Sequence, residues 1–517
     1  LSEDMFSAVI VVNYLLASVV TAFIGTAVHS RKALDLVAMA MATNGLVLSI
    51  FSMLDVVNDG MSIYMFGGFR PPLGVMYYVD FVNSSLSLLS SFTTIISIIL
   101  VCIFMDYSFR RYFYPIAFLL ITGVHGFLFA GDIFHLYVAT ELVAITSYAL
   151  TAVYSSKKNC IRAAIIYGIV GTAITSFLLL SVILIYGSYG TINIVDIALK
   201  SIDPRATTPF SGGVLGEIVS ASITALAMMT WVFLFKSGIM PTHFWLPRVY
   251  RTASIASLVL FTSSADILGV YGILRLYHIL FSENSVIISF RNTMLFSLTA
   301  ISMISAFSSA LLVAKQDRIR DIVAYSTITQ LSLALAGVIS SDSEAVAGGL
   351  MHMMVNALGD TSILTGYTIY MKSRGIDDLS SRLAKVLIMV GFLNLFGLIP
   401  IVPGFWSKAL MTKGFLDNGN IVGVAVVLIS TGLCAIGYFR FVINMFSKKV
   451  VPKLEAVSME RRYFLNITIL LLLIAVVLGF GIGLTLNPQI LNIIVELVSR
   501  STDVDTYIAN TFSMINR

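Results

Sequence analysis

The sequence predicts an all-α polytopic membrane protein with about fourteen transmembrane helices, and three observations carry that reading. Of its 517 residues, 58% are hydrophobic and only 11% are charged, where soluble domains have about a quarter charged. Apolar windows of about 20 residues, long enough to cross a bilayer core as helices, recur evenly along the whole chain. Lysine and arginine alternate between rich and poor loops from one window to the next. The even recurrence argues for one continuous bundle, not the three or four soluble domains that length alone suggests.

The spans fall near residues 5–28, 33–53, 81–105, 113–131, 133–153, 163–187, 219–240, 255–281, 293–314, 322–340, 345–371, 386–410, 421–447 and 463–487. The first is long enough to cross the membrane and has no small-residue cleavage pattern after it, so it reads as a helix and not a signal peptide. Loops after odd-numbered spans hold 21 of the 32 lysines and arginines, loops after even-numbered spans and the C-terminal tail hold 7, and Lys236, Arg275, Lys408 and Arg440 fall within spans. One missed span would scramble this alternation. It places the odd loops inside and both termini on the outer side. Arg275 and Arg440, near span ends, are expected to snorkel to the interface.

Between spans two and three, the loop from Leu54 to Asp80 carries GGFRPPLG at residues 67–74, a run of turn formers that reads as ordered but not helical. After Pro488 the stretch ILNIIVELVS has apolar positions at helical spacing, which suits a helix lying on the membrane surface or against a partner.

The composition excludes several functions. The net charge of +5 comes from basic residues in short inter-span loops, which gives no reason to expect nucleic acid. Cys102, Cys160 and Cys434 form no CxxC pair, so neither an iron–sulfur nor a zinc site is encoded. No nucleotide loop, metal-ligand cluster or nucleophile with a base occurs at a working spacing. The sequence predicts no cofactor, no metal and no catalytic residue, and any redox chemistry belongs to partner chains.

What remains is transport, and it centres on FKSGIMPTHFWLP, residues 235–247. Lys236 is a charge inside a span, which costs about 2.5–3.5 kcal/mol at mid-bilayer and marks a functional site by default. Gly238 and Pro241 break the helix beside it, and the freed backbone groups must find neighbours or water. Span twelve echoes the pattern. Gly397 and Pro400, with Pro403, break it, and Phe405-Trp406 matches Phe244-Trp245. Lys408 follows this second break. Paired broken helices are the sequence sign of a transporter built from repeats.

Other polar groups sit mid-span. Glu141 is the natural countercharge for Lys236 if span five packs on span seven. Asp266 lies in span eight, and His352, Asn356 and Asp360 recur every four residues as one stripe on span eleven. Such residues either mark an ion path or hydrogen-bond helices together. His243 and His135 are candidates to relay protons, because histidine titrates nearest neutrality.

Taken together, Asp132 to Leu150 with its mid-helix glutamate, FKSGIMPTHFWLP, DRIRDIVAYSTITQ at 317–330, GLIPIVPGFWSK at 397–408 and GGFRPPLG followed by Asp80 resemble the antiporter-like subunits shared by respiratory complex I, Mrp cation/proton antiporters and group 4 membrane-bound hydrogenases. The resemblance runs from about Gly67 to Lys408. It implies fourteen helices with two inverted five-helix repeats, each holding a broken helix. The domains would then be residues 1–112 with the GGFRPPLG loop, a first repeat at 113–281, a second at 293–447, and a last helix and amphipathic tail at 448–517. It also implies that Glu141 and Lys236 form a coupling ion pair, that Lys408 lies nearest the exit, and that a hydrated polar axis connects them.

The chain departs from that pattern in its middle. Ile267, beside Asp266, stands where the family usually has a lysine. Asn356 and Asp360 replace a histidine and a lysine, and Arg320 replaces a lysine before span ten. Carboxylates in place of bases suit a proton or a hard cation such as sodium. The expected function is therefore an ion-translocating subunit, carrying protons and/or sodium, of a redox-driven membrane complex of hydrogenase type in the plasma membrane. Its partners would be other membrane subunits and an iron–sulfur peripheral arm on other chains. The alternatives are an Mrp-type sodium/proton antiporter subunit, or a structural subunit that no longer conducts.

Overall fold

The computed structural model describes residues 5–28, 30–153, 158–208, 211–372, 379–447 and 460–515. In chain order the elements are α1 (Phe6–Phe23), α2 (Arg31–Asp59), β1 (Ser62–Met65), β2 (Met76–Val79), α3 (Phe81–Phe104), α4 (Tyr107–Phe129), α5 (Ile133–Ala152), α6 (Lys158–Tyr189) and α7 (Ile194–Ile202). There follow α8 (Ile218–Lys236), α9 (Leu246–Thr252), α10 (Ile255–Leu260), α11 (Ile267–Arg275), α12 (Ile288–Lys315), α13 (Ile319–Val338), α14 (Ser343–Lys372) and α15 (Leu379–Phe396). The chain closes with α16 (Pro403–Asp417), α17 (Ile421–Ser447), α18 (Glu460–Leu486), α19 (Gln489–Thr502) and α20 (Val504–Ile515).

Among the described residues, 13 helical stretches are long and apolar enough to cross a membrane. The fourteenth expected span is α14, whose 30 residues are ample for crossing and whose polar stripe is what lowers its hydropathy. The fold is thus the all-α, multi-pass bundle that the sequence predicts. Span eight is one unbroken crossing, Ile255–Leu280, in which α10 and α11 are joined by a π turn at Phe261–Ala265 and a second π turn follows at Leu276–Leu280. It is the bundle's centre, and its most apolar 18 residues are all buried.

Contacts between loops support the span count. Arg110, after span three, binds Asp35 at 2.5 Å. Arg320, after span nine, donates to the carbonyls of Tyr250 and Ala253, after span seven, at 3.1 and 2.7 Å, and Arg440 meets Asp317 at 3.1 Å. Apart from Asp35, at the start of span two, and Arg440, near the end of span thirteen, these residues belong to odd loops, so the odd loops share one face. On the other face, Gly131 donates to Met76 at 3.1 Å, Ile133 to Ile192 at 2.9 Å and Val286 to Ser201 at 2.8 Å, joining the loops after spans two, four, six and eight.

The GGFRPPLG loop is ordered, but as the tip of a β-hairpin. β1 and β2 pair antiparallel from Ser62↔Val79 to Met65↔Met76. Gly67 and Gly68, with φ of 66° and 73°, turn the chain between them, a conformation that L residues with a Cβ rarely adopt. Asp80 then starts α3 with a capping box, its carboxylate accepting from Asn83 N at 3.1 Å while the Asn83 side chain accepts from Asp80 N at 2.9 Å.

Arg275 does not snorkel. It is 13% exposed, pairs with Asp80 at 2.5 Å and donates to the Ser501 carbonyl at 3.0 Å. It ties span eight to the hairpin and to the tail, because a buried guanidinium must be paired and fully hydrogen-bonded. The predicted tail helix exists as α19. Its apolar side buries Leu491 and Val498 against the bundle, alongside α14 and α3, and α20 follows it. Arg440, 38% exposed, pairs with Asp317 after span nine.

Candidate functional site: the two helix breaks and the polar groups between them

Lys236 is the last residue of α8. Gly238, at φ 62°, reverses the backbone, and the chain resumes as a 3-10 turn, Thr242–Trp245, running into α9. The open turn is closed from the side. The Trp245 indole donates to the Phe235 carbonyl at 3.0 Å, and Tyr167 stacks on Trp245 at 4.1 Å. Ser305 accepts from Met240 N at 3.1 Å. These contacts supply the partners that a broken helix requires in lipid.

The second break has the same parts in another arrangement. α15 ends at Phe396, Gly397 has φ 61°, and Pro403 opens α16 at its first position, where proline is tolerated. Trp406 donates to the Pro400 carbonyl at 2.9 Å, as Trp245 does to a carbonyl at the first break. Asn394 spans the gap, donating to Val355 O at 3.0 Å and accepting from Gly404 N at 3.1 Å.

The two lysines occupy different settings. Lys408 Nζ donates to the Leu395 and Phe396 carbonyls at 2.6 and 3.0 Å, so its charge caps the C-terminal end of α15, where the helix dipole favours a cation. Lys236, 5% exposed, makes only one long bond among the described residues, to Thr140 O at 3.4 Å. The charges of Glu141 and Asp266 both act on it. Neither carboxylate is in ion-pair contact with it, so the anticipated Glu141–Lys236 pair is a neighbourhood and not a closed salt bridge.

Between the breaks lie two hydrogen-bonded groups. At the second break, His352 bonds Ser407 Oγ through Nδ1 at 2.9 Å and Gln330 Oε1 through Nε2 at 2.8 Å, and Gln330 donates to Tyr438 at 3.3 Å. Ser407 adjoins Lys408, so this chain reaches the second lysine. In the centre, Tyr250 donates to Asp266 at 2.7 Å, and Thr327 donates to Asp360 at 2.7 Å. Ile267 is fully buried and adds no polar atom. Asn356 lies between the two groups with both amide atoms buried and unpartnered.

Not every predicted residue joins this line. The Nδ1 of His243 is buried without a partner, and the structure links that side chain to none of the others. His135 stands apart, its ring against Tyr77 at 5.3 Å. Arg320 caps α9 through backbone carbonyls. Tyr250, Thr327, Gln330, Ser407 and Tyr438 belong to the line without having stood out in the sequence. Thr327 and Gln330 sit in the DRIRDIVAYSTITQ run and face the stripe on α14, a signal available from spacing. Nothing local marks Tyr250 or Tyr438.

Cavities meet the bundle at both faces. On the odd-loop face, one of about 760 Å³ is lined by Arg162, Arg248, Arg251, Arg318 and Arg320 with Asp321, next to Tyr250. On the opposite face, one of about 280 Å³ is lined by His278, Glu283, Arg291, Asp503 and Asp505.

Residues 130–434, more than half of the chain and including both breaks and every group of the line except Tyr438, match the NADH:quinone oxidoreductase/Mrp antiporter transmembrane family. The chain belongs to that family. A relative within it, a Na(+)/H(+) antiporter subunit of Alkalihalophilus pseudofirmus, is 28% identical over 404 residues, 75% of this chain and 76% of the relative. A chain of the membrane-bound sulfane sulfur reductase, an archaeal respiratory membrane complex, superposes with a TM-score of 0.84 at 22% identity over 98% of this chain and 99% of that one. A chain of the Mrp complex from Dietzia sp. DQ12-45-1b gives 0.83 at 20% over the same shares. These likenesses make the protein an antiporter-like membrane subunit of the fold found in both kinds of assembly.

Proposed function

We propose that the chain translocates ions, protons and/or sodium, as one membrane subunit of a multi-subunit cation/proton antiporter of Mrp type in the plasma membrane. The observation that carries this reading is Lys236. A buried ammonium with a single 3.4 Å hydrogen bond, flanked by the charges of Glu141 and Asp266, is held loosely enough to exchange a proton when either carboxylate shifts. Lys408 is held more firmly, by two short bonds to carbonyls. In this scheme Glu141, Lys236, Asp266, Asp360, His352 and Lys408 are the stations of the path, His243 lies beside its first break, and Gly238, Pro241, Pro400 and Pro403 make the openings. The two repeats are 113–281 and 293–447, flanked by 1–112 and 448–517, and both termini face outward.

The Na(+)/H(+) antiporter relative from Alkalihalophilus pseudofirmus supports the Mrp-type assignment over the hydrogenase type that the sequence suggested. A second reading, a subunit of a redox-driven complex with an iron–sulfur arm on other chains, draws on the fold shared with the sulfane sulfur reductase chain. Identifying the chains that copurify in mild detergent separates the two: further antiporter subunits support the first, and iron–sulfur proteins the second. Lys236→Ala in the intact complex should abolish ion exchange across vesicles. Undiminished exchange would overturn both readings.

A further inference from the structure

At the centre of the bundle, α14 carries an arrangement of oxygens that the hydrogen bonds of the protein leave open. Asp360 is fully buried, and only its Oδ2 is bonded, to Thr327. Its Oδ1 has no partner. One turn away on the same face, Asn356 is fully buried with both its Oδ1 and Nδ2 unpartnered. Buried polar atoms are nearly always satisfied, so several in one place call for a bound group.

A second carboxylate faces the same region. Asp266, 2% exposed, follows the π turn of span eight, which packs directly on α14. The charge of Asp266 acts on Asp360, and the Tyr250 hydroxyl feels both. Among the described residues no lysine, arginine or histidine is in ion-pair contact with either. Lys236 acts on Asp266 only from a distance. Two buried carboxylates with no cation beside them cannot both stay ionised in a medium of low dielectric.

We propose that Asp266 and Asp360, with the Asn356 carboxamide oxygen, form a binding site for one dehydrated sodium ion. The donor set consists of hard oxygens, which suits an alkali or alkaline-earth cation and not a transition metal. Among the described residues no three His, Cys, Asp or Glu side chains converge as a metal cluster. Of such cations, the ion-translocation reading names sodium. The site rests on the ion-translocation reading and gives that path a sodium station at its centre.

The test is thermal unfolding of the full chain, purified with its complex, in sodium, potassium or choline chloride at one ionic strength. The wild type should melt higher in sodium, saturably, and Asp266→Asn and Asp360→Asn should each remove the sodium-specific shift. Equal melting in all three salts overturns the site and leaves a shared proton as the occupant of the pair. A sodium shift that survives in both variants also overturns it, since the ion then binds elsewhere. If the aspartate variants do not fold, radioactive sodium binding to wild type and to Asn356→Ala decides. One ion per chain, bound several-fold more weakly in Asn356→Ala, supports the site, and no bound ion or undiminished affinity refutes it. Ion exchange lost in Lys236→Ala while wild type binds no sodium would remove this site and leave the translocation reading standing. Sodium bound in wild type with undiminished exchange in Lys236→Ala would do the reverse.

Discussion

Lys236 and Lys408 are both buried ammonium groups beside a helix break, and their hydrogen bonds predict opposite responses to removal. Lys408 satisfies two carbonyls at the end of α15, and stranding a buried acceptor costs about 1–3 kcal/mol. Lys408→Met should therefore lower the melting temperature of the purified protein clearly, and Lys408→Arg should recover much of the loss by keeping the donors. Lys236→Met removes one long bond and also a buried charge that is expensive to desolvate. Its melting temperature should change little or rise, while transport is lost. Both lysines were legible in the sequence because a charge inside an apolar window is conspicuous. Tyr250 and Thr327 were not, since a tyrosine or threonine in such a window is ordinary, and only the fold brings them to Asp266 and Asp360.

The packing of helices against the first break rests on missing side chains. A Cβ on Gly269 of α11 would stand 2.2 Å from the Phe233 carbonyl and 2.9 Å from Ser237 N, inside the backbone of the break. Gly269→Ala must push α11 off α8 and should destabilise by about 1–3 kcal/mol, as overpacking does. Gly187 of α6 has nothing within 4 Å of its would-be Cβ. Gly187→Ala should be neutral or stabilise by up to about 1 kcal/mol, because alanine suits a helix interior better. Thermal unfolding of the two variants side by side separates crowding from propensity. At this scale the sequence displayed the spans and both breaks, because glycine and proline punctuate an otherwise continuous apolar pattern. It hid the π turns of span eight, which follow from one shifted hydrogen bond and no particular residue. It also hid the hairpin, whose strands of four residues are too short for an alternating pattern to stand out, and α7 in the loop after span six.

Across the whole molecule, the clamp of Arg275 with Asp80 and the Ser501 carbonyl joins parts of the chain 195 and 226 residues apart. That separation is why the sequence suggested a snorkelling arginine. Removing one partner of a buried pair costs about 3–5 kcal/mol, so Arg275→Met should loosen the tail and raise proteolysis after Pro488, measurable by limited digestion. The sidedness of the bundle follows from the charges. Odd loops, joined on one face, carry 21 lysines and arginines, and the other face with the tail carries 7, an asymmetry that predicts the arginine-lined cavity inside and the cavity with Asp503 and Asp505 outside. On a background in which Cys102, Cys160 and Cys434 are replaced, Arg318→Cys should react with a membrane-impermeant maleimide only in inside-out vesicles, and Asp505→Cys only in intact cells. The reverse pattern would place the termini inside and the arginine-lined cavity outside.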